Sequence, residues 1–352
     1  MTRLVLVVPG LIWPAPQAFH PAEDVEHAAL SRLLGRGRLC AEPAISCECL
    51  LSRLLGMEHY HQSLPLAALR RFGEENGGGY AQGDDKAHWL CADPVNLSFM
   101  GGHVLLDEIN EGEISVAEAT ALISTLNDEF ASLGRFSAAT PTRWYLRMER
   151  PARARFFPLD EAVCRPAQDF LPMDGEGGEN DARYWRRMSN EIQVVLHNHP
   201  VNIAREAAGR RPINSLWFWG NGAQSMFGAA GAPRLAVQAL DPVARGLART
   251  AGIEPEALDV DSALRADTLA VLDTLVSPIR HLDSARWQDA LAALEQNWFA
   301  PIARAFDRGS LRYFALHVPG ERSSFSLALD WRERWCFWRK PLSLCAVHLP
   351  RI

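Results

Sequence analysis

The chain lacks an excess of positive charge. Its 36 Lys and Arg are outnumbered by 42 Asp and Glu, a formal net charge of −6 at pH 7, so it carries no electrostatic footprint for a polyanion such as nucleic acid. It lacks any window approaching the roughly 18 uninterrupted apolar residues of a membrane span. Met1–Leu11 has one Arg, a short apolar run and no small-residue cleavage site before Trp13, so it does not read as a secretory signal. Cysteine is sparse and odd in number. The seven (Cys40, Cys47, Cys49, Cys91, Cys164, Cys336 and Cys345) are scattered, which argues against a disulfide framework and fits thiols in a reducing compartment. No Gly-x-Ser-x-Gly elbow, P-loop or dinucleotide fingerprint occurs. These absences predict a soluble, cytoplasmic protein with neither a nucleic-acid nor a membrane partner.

What is present is ordinary globular composition, 48% hydrophobic and 22% charged over 352 residues, enough for two domains or one domain with an insertion. Leu4–Val8 is a continuous apolar run ended by Pro9-Gly10, the pattern of a strand buried on both faces. The loop after it, PGLIWPAP, offers no carboxylate, hydroxyl or phosphate-cradling glycine pattern, although such loops often carry chemistry. Helical spacing follows in His27–Leu34, Ile45–Leu55 and Leu64–Phe72, and the Gly-rich Glu74–Lys86 reads as a boundary. His88–Leu97 and His103–Ile109 predict paired strands. In the Ser115–Phe130 helix, Ser115 and Glu118 form a capping box and Ala119, Leu122, Ile123 and Leu126 a buried stripe. Thr142–Met148, Arg234–Ala239, Leu311–His317 and Ser323–Asp330 read as strands, Trp287–Phe306 as one long helix, and Trp331–Lys340 as a hairpin partner to Ser323–Asp330. This order predicts an α/β fold: a parallel-sheet core of residues 1–86 and 226–352, interrupted by an inserted α+β domain of 87–225.

The densest stretch is His197–Gly222. Pro200 and Pro212 bracket a short helix, Ser215–Trp219 is an apolar strand, and Gly220-Asn221-Gly222 reads as a turn. A polar pair before a helix followed by such a strand suits a binding crevice, and equally a hinge re-entering a core. Likewise His197 and His199 suit either a functional pair or simple helix caps. Cys47-Glu48-Cys49 with His59-Tyr60-His61 supplies four soft ligands, but their alternating spacing on a helix start disfavours zinc. Trp331, Trp335 and Trp338, set among Arg332, Arg334, Arg339 and Lys340, suit stacking on a base or sugar; core packing beside a solvated charged face is the favoured reading.

Taken in order, several segments resemble the archaeal-type, cofactor-independent phosphoglycerate mutases of the alkaline phosphatase superfamily. They are Leu4–Gly10, Ser46–Gly56 followed by PLAALR, the run from ADPVNL through VLLDEINEGEISVAEATALISTLN, HPVN with P-x-N-S-x-W-x-W-G-x-G, and AVQALDPVARGLARTAG. The resemblance implies an alkaline-phosphatase-like parallel-sheet core with an inserted smaller α+β domain. It also implies phosphoryl transfer through a covalent seryl intermediate with two divalent metals. Carried onto this chain, the family's first-strand Asp falls on Pro9, and its nucleophilic Ser on Cys47, or on Ser46 if the register slips by one. The Asp that follows becomes Glu48. The metal loop falls on Ser277–His281, where only His281 remains, and the paired Asp-His falls on Leu316-His317.

Three expectations follow. The first is a protein that has lost the two-metal site, needs no metal cofactor, and binds or regulates through a small phosphorylated metabolite held by His199, Asn202, Arg205, Asn214 and Asn221. The second is an active mutase or phosphatase with a rearranged site built on Cys47, His281 and His317 and served by Mn or Zn, with Asp241, Asp259 or Asp261 as further ligands. The third is a scaffold that uses the Trp-rich hairpin as a partner surface.

Overall fold

The computed structural model describes residues 2–14, 20–57, 64–74, 86–175, 178, 180–223, 235–320 and 323–347. His59, Tyr60 and His61, half of the zinc candidate, and most of the Gly-rich segment 74–86 lie outside the described residues. The chain divides into two compact units, Met1–His59 with Ala229–Ile352, and Tyr60–Gly228. Helix Leu66–Gly73 falls in the second unit, on the far side of the sequence-based boundary at residue 86. In chain order the strands among the described residues are β1 (Thr2–Val7), β2 (Arg38–Glu42), β3 (Trp89–Met100), β4 (His103–Glu108), β5 (Gly134–Thr140), β6 (Arg143–Met148), β7 (Ser215–Gly222), β8 (Ala236–Gln238), β9 (Thr268–Val271), β10 (Leu311–Val318) and β11 (Ser324–Asp330). Among the described residues no helix is long and apolar enough to cross a membrane.

In the first unit the sheet order is β2-β11-β10-β1-β9-β8. β1 pairs in parallel with β10 and β9, and β9 with β8, while β11 and β2 extend the sheet by antiparallel pairing. The Leu/Val run of β1 is the reason it lies centrally: Leu4, Leu6, Val7 and Val8 are fully buried. Each such side chain contributes roughly 1.5–3 kcal/mol on leaving water. Leu30, Leu33, Trp287, Phe299, Phe306 and Phe314 close over the sheet in the same cluster.

The spacing of 287–306 predicts one helix, and the chain breaks it into Ser284–Leu294, a π-helical turn Glu295–Phe299, and Ala300–Arg308. Pro301 has no N–H for the residue four back, and a ladder interrupted there is accommodated by a widened turn. The buried Glu295 carboxylate accepts from Ala29 N at 2.5 Å and Leu30 N at 3.1 Å, capping helix Ala28–Arg36, to which His27 gives no side-chain cap.

Trp331–Lys340 departs from expectation more sharply. β11 already pairs with β10 on one edge and β2 on the other, so no edge is left for a hairpin partner. The segment instead forms turns around a short 3-10 helix, Glu333–Trp335. Its aromatics are not core: Trp331, Trp335, Phe337 and Trp338 are 48%, 57%, 74% and 69% exposed.

In the second unit β3 pairs with β7, β6 and β4, and β6 pairs with β5. Gly220-Asn221-Gly222, predicted as a turn, belongs to β7. Gly220 has φ +71°, and a Cβ there would come within 2.9 Å of Ala67 N and the Leu66 Cβ, so glycine is what lets helix Leu66–Gly73 lie against the strand. Trp144, Phe136, Leu146, Trp185, Ile192 and Phe218 form this unit's main core.

The capping box of helix Val116–Glu129 is present, with Ser115 Oγ accepting from Glu118 N at 3.2 Å and Glu118 Oε2 from Ser115 N at 2.9 Å. Glu118 Oε1 also accepts from Arg205 at 3.2 Å and Arg210 at 2.7 Å. Partial burial opposes its charge, but the Ser115 amide and hydroxyl and the two guanidinium groups prevail and hold its pKa down at about 2. A carboxylate depressed in the folded state stabilises above its unfolded value of about 4.3 and loses that contribution as pH falls towards the folded one. Denaturant unfolding followed from about pH 5 to pH 2 is therefore expected to show a shallower acid limb in Glu118→Gln. Identical limbs would show that these contacts do not hold the carboxylate.

Candidate functional site

Register fixes which groups share the carboxyl edge of the first unit's sheet. Val7, at the end of β1, lies opposite His317 of β10 and Val271 of β9. His317 lies opposite Ser326 of β11, which in turn faces Cys40 of β2. The chain leaves β9 through Leu272 to Asp273, and leaves β2 at Glu42 to begin helix Cys47–Leu54. In open α/β sheets this edge is where ligands sit.

Pro9, which follows β1, has no donor or ligating side chain. Its neighbour Gly10 has φ +81°, with a Cβ position 2.9 Å from Leu275 O, and its carbonyl accepts from Trp287 Nε1 at 2.9 Å. Protein atoms therefore pack against this loop. His317 is half-buried, and its Nδ1 has no hydrogen-bond partner among the described residues. Burial lowers its pKa, Arg53 acts in the same sense, and Glu42 opposes both. The Ser326 hydroxyl donates to the Glu42 carboxylate. Asp273 has a pKa raised by burial and opposed by Arg280.

Cys47 is the first residue of its helix, half-buried and in no disulfide; Ser46 caps the helix by accepting from Cys49 N at 3.2 Å. His281 stands apart in character: exposed, it closes helix Val276–Arg280 and donates Nδ1–H to Ser277 O at 3.0 Å. Asp241 and Asp259 are helix caps, accepting from Ala244 N at 2.8 Å and from Asp261 N and Ser262 N at 3.1 and 3.2 Å. The edge thus gathers His317, Asp273, Arg53 and the start of the Cys47 helix. The sequence reading named His317 and Cys47 and missed Asp273 and Arg53. For Asp273 the available signal was a carboxylate closing an apolar strand run.

The five residues expected to hold a metabolite lie in the second unit, where protein groups occupy their polar atoms. His199, 9% exposed, caps helix Pro200–Ala207 with Nδ1 accepting from Val201 N at 3.2 Å; Nε2 then carries the proton towards Thr125 Oγ1 at 3.1 Å. Burial lowers its pKa. Asn202 is fully buried, donating to Leu196 O at 2.7 Å and Ile213 O at 2.8 Å and accepting from Ile213 N at 2.7 Å. Arg205 donates to Arg211 O at 2.8 Å, Glu113 O at 2.9 Å and Glu118. Asn214 exchanges two hydrogen bonds with the Leu97 backbone, at 2.7 and 2.9 Å, and Asn221 donates to Ala152 O at 3.2 Å. In this arrangement the Asn and Arg side chains splice loops to strands. His197, exposed at the end of helix Asp181–His197, takes no part.

A second polar cluster in that unit escaped the sequence reading. Arg70 grips Asp93 with two hydrogen bonds of 2.7 Å, and its Nε donates to Tyr145 Oη at 2.9 Å. Tyr145 donates to Glu74 at 2.6 Å, and Arg143 forks onto the same carboxylate at 2.9 Å twice. Trp219 Nε1 and Trp144 N complete the Asp93 shell at 2.8 and 3.1 Å. Burial opposes the Arg70 charge, but Asp93 above all raises its pKa further, whereas burial pushes the Tyr145 hydroxyl and the Cys91 thiol up out of reach of ionisation. Donors and acceptors match within this largely buried cluster, so it acts as a brace.

A cavity of about 450 Å³ in the first unit is bordered by Asp24, Glu26, Asp289 and Glu295, the wrong charge for a phosphorylated metabolite. Among the described residues no group of three or more His, Cys, Asp or Glu is placed to hold a metal ion.

Comparison with known proteins bears on this geometry. Residues 93–202 match the family model described as 2,3-bisphosphoglycerate-independent phosphoglycerate mutase. A protein of that name from Methanosarcina acetivorans is 30% identical over 255 residues, 70% of this chain and 54% of its own. A second, from Methanothermobacter thermautotrophicus, is 30% identical over 185 residues, 50% of this chain and 42% of its own. The chain thus spans about half the length of these curated relatives. A protein of solved structure from Pyrococcus horikoshii superposes over 94% of this chain and 87% of its own with a TM-score of 0.52 at 14% identity, a likeness of fold alone.

Proposed function

Because this chain is a divergent relative of the archaeal-type, cofactor-independent phosphoglycerate mutases with their alkaline-phosphatase-like α/β fold, we propose that it binds a small phosphorylated metabolite at the place where relatives act on one, without the two-metal phosphoryl-transfer site. The observation that carries this reading is the donor set at the carboxyl edge of the first unit's sheet. Two divalent ions need a cluster of carboxylates and imidazoles. Among the described residues this edge offers Pro9, one imidazole at His317, and two carboxyls: Asp273, which burial biases towards its neutral form, and Glu42, which already accepts from the Ser326 hydroxyl. Such a set does not fit two divalent cations.

It does fit an anion. Arg53 and Arg280 bring charge, and the amide end of helix Cys47–Leu54 favours a phosphate. His317, whose buried Nδ1 has no partner among the described residues, adds one more polar group there. By the resemblance the nucleophile's position falls on Cys47 or Ser46, and Glu48 beside them disfavours approach of a phosphate to sulfur. Binding without turnover follows from that balance.

Elemental analysis of the purified protein, a 3-phosphoglycerate mutase assay with added manganese, and calorimetric titration of 3-phosphoglycerate test the reading together. The expected result is no retained metal, no turnover, and saturable binding that Arg53→Gln weakens about tenfold or more. Two equivalents of retained Mn or Zn with turnover would overturn it in favour of a rearranged active site. Absence of both metal and phosphoglycerate binding would overturn it in favour of a scaffold.

A further inference from the structure

The segment Trp331–Lys340 presents more exposed aromatic surface than folding explains. Trp335, Phe337 and Trp338 are 57%, 74% and 69% exposed within four positions, with Trp331 at 48%. Large aromatics left in water forgo the burial that usually places them inside. They are not displayed on a loose strand of chain. Arg339 donates to Arg36 O at 2.6 Å, Leu342 N to Ser31 O at 2.9 Å, and Leu344 is buried in the core. A Cβ on Gly35 would collide with Lys340 O, so helix Ala28–Arg36 is cut to receive this segment. The aromatics are held outward by that seat.

Charge on the segment runs opposite to the rest of the chain. Arg332, Arg339 and Lys340 are exposed beside the rings, in a protein of net charge −6. The guanidinium of Arg332 lies 5.6 Å from the centre of the Trp331 ring, and that of Arg334 lies 4.5 Å from the Trp335 ring. The neighbouring carboxylates are already engaged: Glu333 accepts from Asp330 N, and Asp330 pairs with Arg38 at 2.9 Å. A cationic rim around protruding Trp and Phe side chains matches the interface of an anionic bilayer, with rings at the headgroup boundary and Arg and Lys on the lipid phosphates. Single-stranded nucleic acid fits less well, because Phe337 and Trp338 meet edge to face at 77°, leaving no parallel faces for successive bases.

We propose that Trp331–Lys340 is a peripheral membrane anchor that docks this protein on anionic lipid surfaces. Among the described residues no helix is long and apolar enough to span a membrane; the anchor lies on the surface, its rings entering and its cations binding headgroups. The inference stands independently of the metabolite reading, since it draws on neither the sheet edge nor its ligand.

Co-sedimentation of the full chain with phosphatidylcholine vesicles containing about 30% phosphatidylglycerol tests it, with pure phosphatidylcholine vesicles as reference. The expected result is partition onto the anionic vesicles alone, weakened at about 0.5 M salt by screening. Trp335→Ser/Phe337→Ser/Trp338→Ser is expected to lower partition about a hundredfold. Arg332→Gln/Lys340→Gln is expected to lower it about fivefold per cation, both variants keeping the wild-type melting temperature because the changed groups are exposed. No sedimentation of the wild type, or equal sedimentation of the aromatic variant, overturns the proposal. So does an aromatic patch whose loss abolishes self-association or oligonucleotide binding while vesicle binding persists.

Discussion

Asp93→Ala is expected to destabilise the second unit by about 3–5 kcal/mol. Asp93 is 3% exposed and accepts from both Arg70 terminal nitrogens, from Trp144 N and from Trp219 Nε1. Removing it leaves a buried guanidinium without its counter-charge, and a backbone amide and an indole N–H without an acceptor. The Coulombic gain of the intact pair is largely offset by desolvation, so the cost arises chiefly from what is left behind. It follows that Arg70→Met combined with Asp93→Leu recovers the part of that loss due to the stranded charge, since neither member of the pair then remains, while Trp144 N and Trp219 Nε1 still lack their acceptor. Hydrogen exchange over β3, β6 and β7, with calorimetry, reads both variants; for a unit of this size the single change corresponds to a fall in Tm of roughly 6–20 °C. A double variant no more stable than the single one would show that the network specifies the packing rather than merely tolerating its own charge.

Asn202→Ala is expected to cost about 2–4 kcal/mol in the same unit and to leave metabolite affinity per folded molecule within about twofold of wild type. The amide makes three buried hydrogen bonds, to Leu196 O, Ile213 O and Ile213 N; alanine removes the side-chain partner of both Ile213 groups, while Leu196 O keeps the His199 amide at 3.1 Å. A ligand-binding asparagine would give the opposite result, with affinity lost and stability kept. Urea unfolding paired with titration of 3-phosphoglycerate separates the outcomes. Unchanged stability would return Asn202 to the list of ligand contacts.

The two predictions mark the boundary of what local sequence can say. Where one stretch holds both cause and consequence, the sequence reads correctly. The Leu/Val run of β1 needs burial on both faces wherever it lies, and it is buried. The Ser115 and Glu118 capping box closes within one turn, and it forms. His199 caps the helix that begins beside it, as one reading of that polar pair held. By contrast β2, RLCAE, is short, polar and mostly exposed, and nothing in it announces a strand; it exists because β11 offers an open edge. Trp331–Lys340 alternates well enough for a hairpin, yet both edges of β11 were already filled, so its rings stay in water.

The sequence by itself determined the α/β order of elements, the resemblance to the phosphoglycerate mutases and the helix caps, because each depends on residue types within a few positions. Only the tertiary structure decided that Asp273 and His317 flank β1 at one sheet edge, that Asp93 meets Arg70 and Trp219, and that the Asn202 amide is bound to the Leu196 and Ile213 backbone. Those pairings join residues distant in the chain, Val7 with His317 among them. Their partners are chosen by strand register and by which buried polar groups would otherwise go unsatisfied, and neither is written in a local pattern.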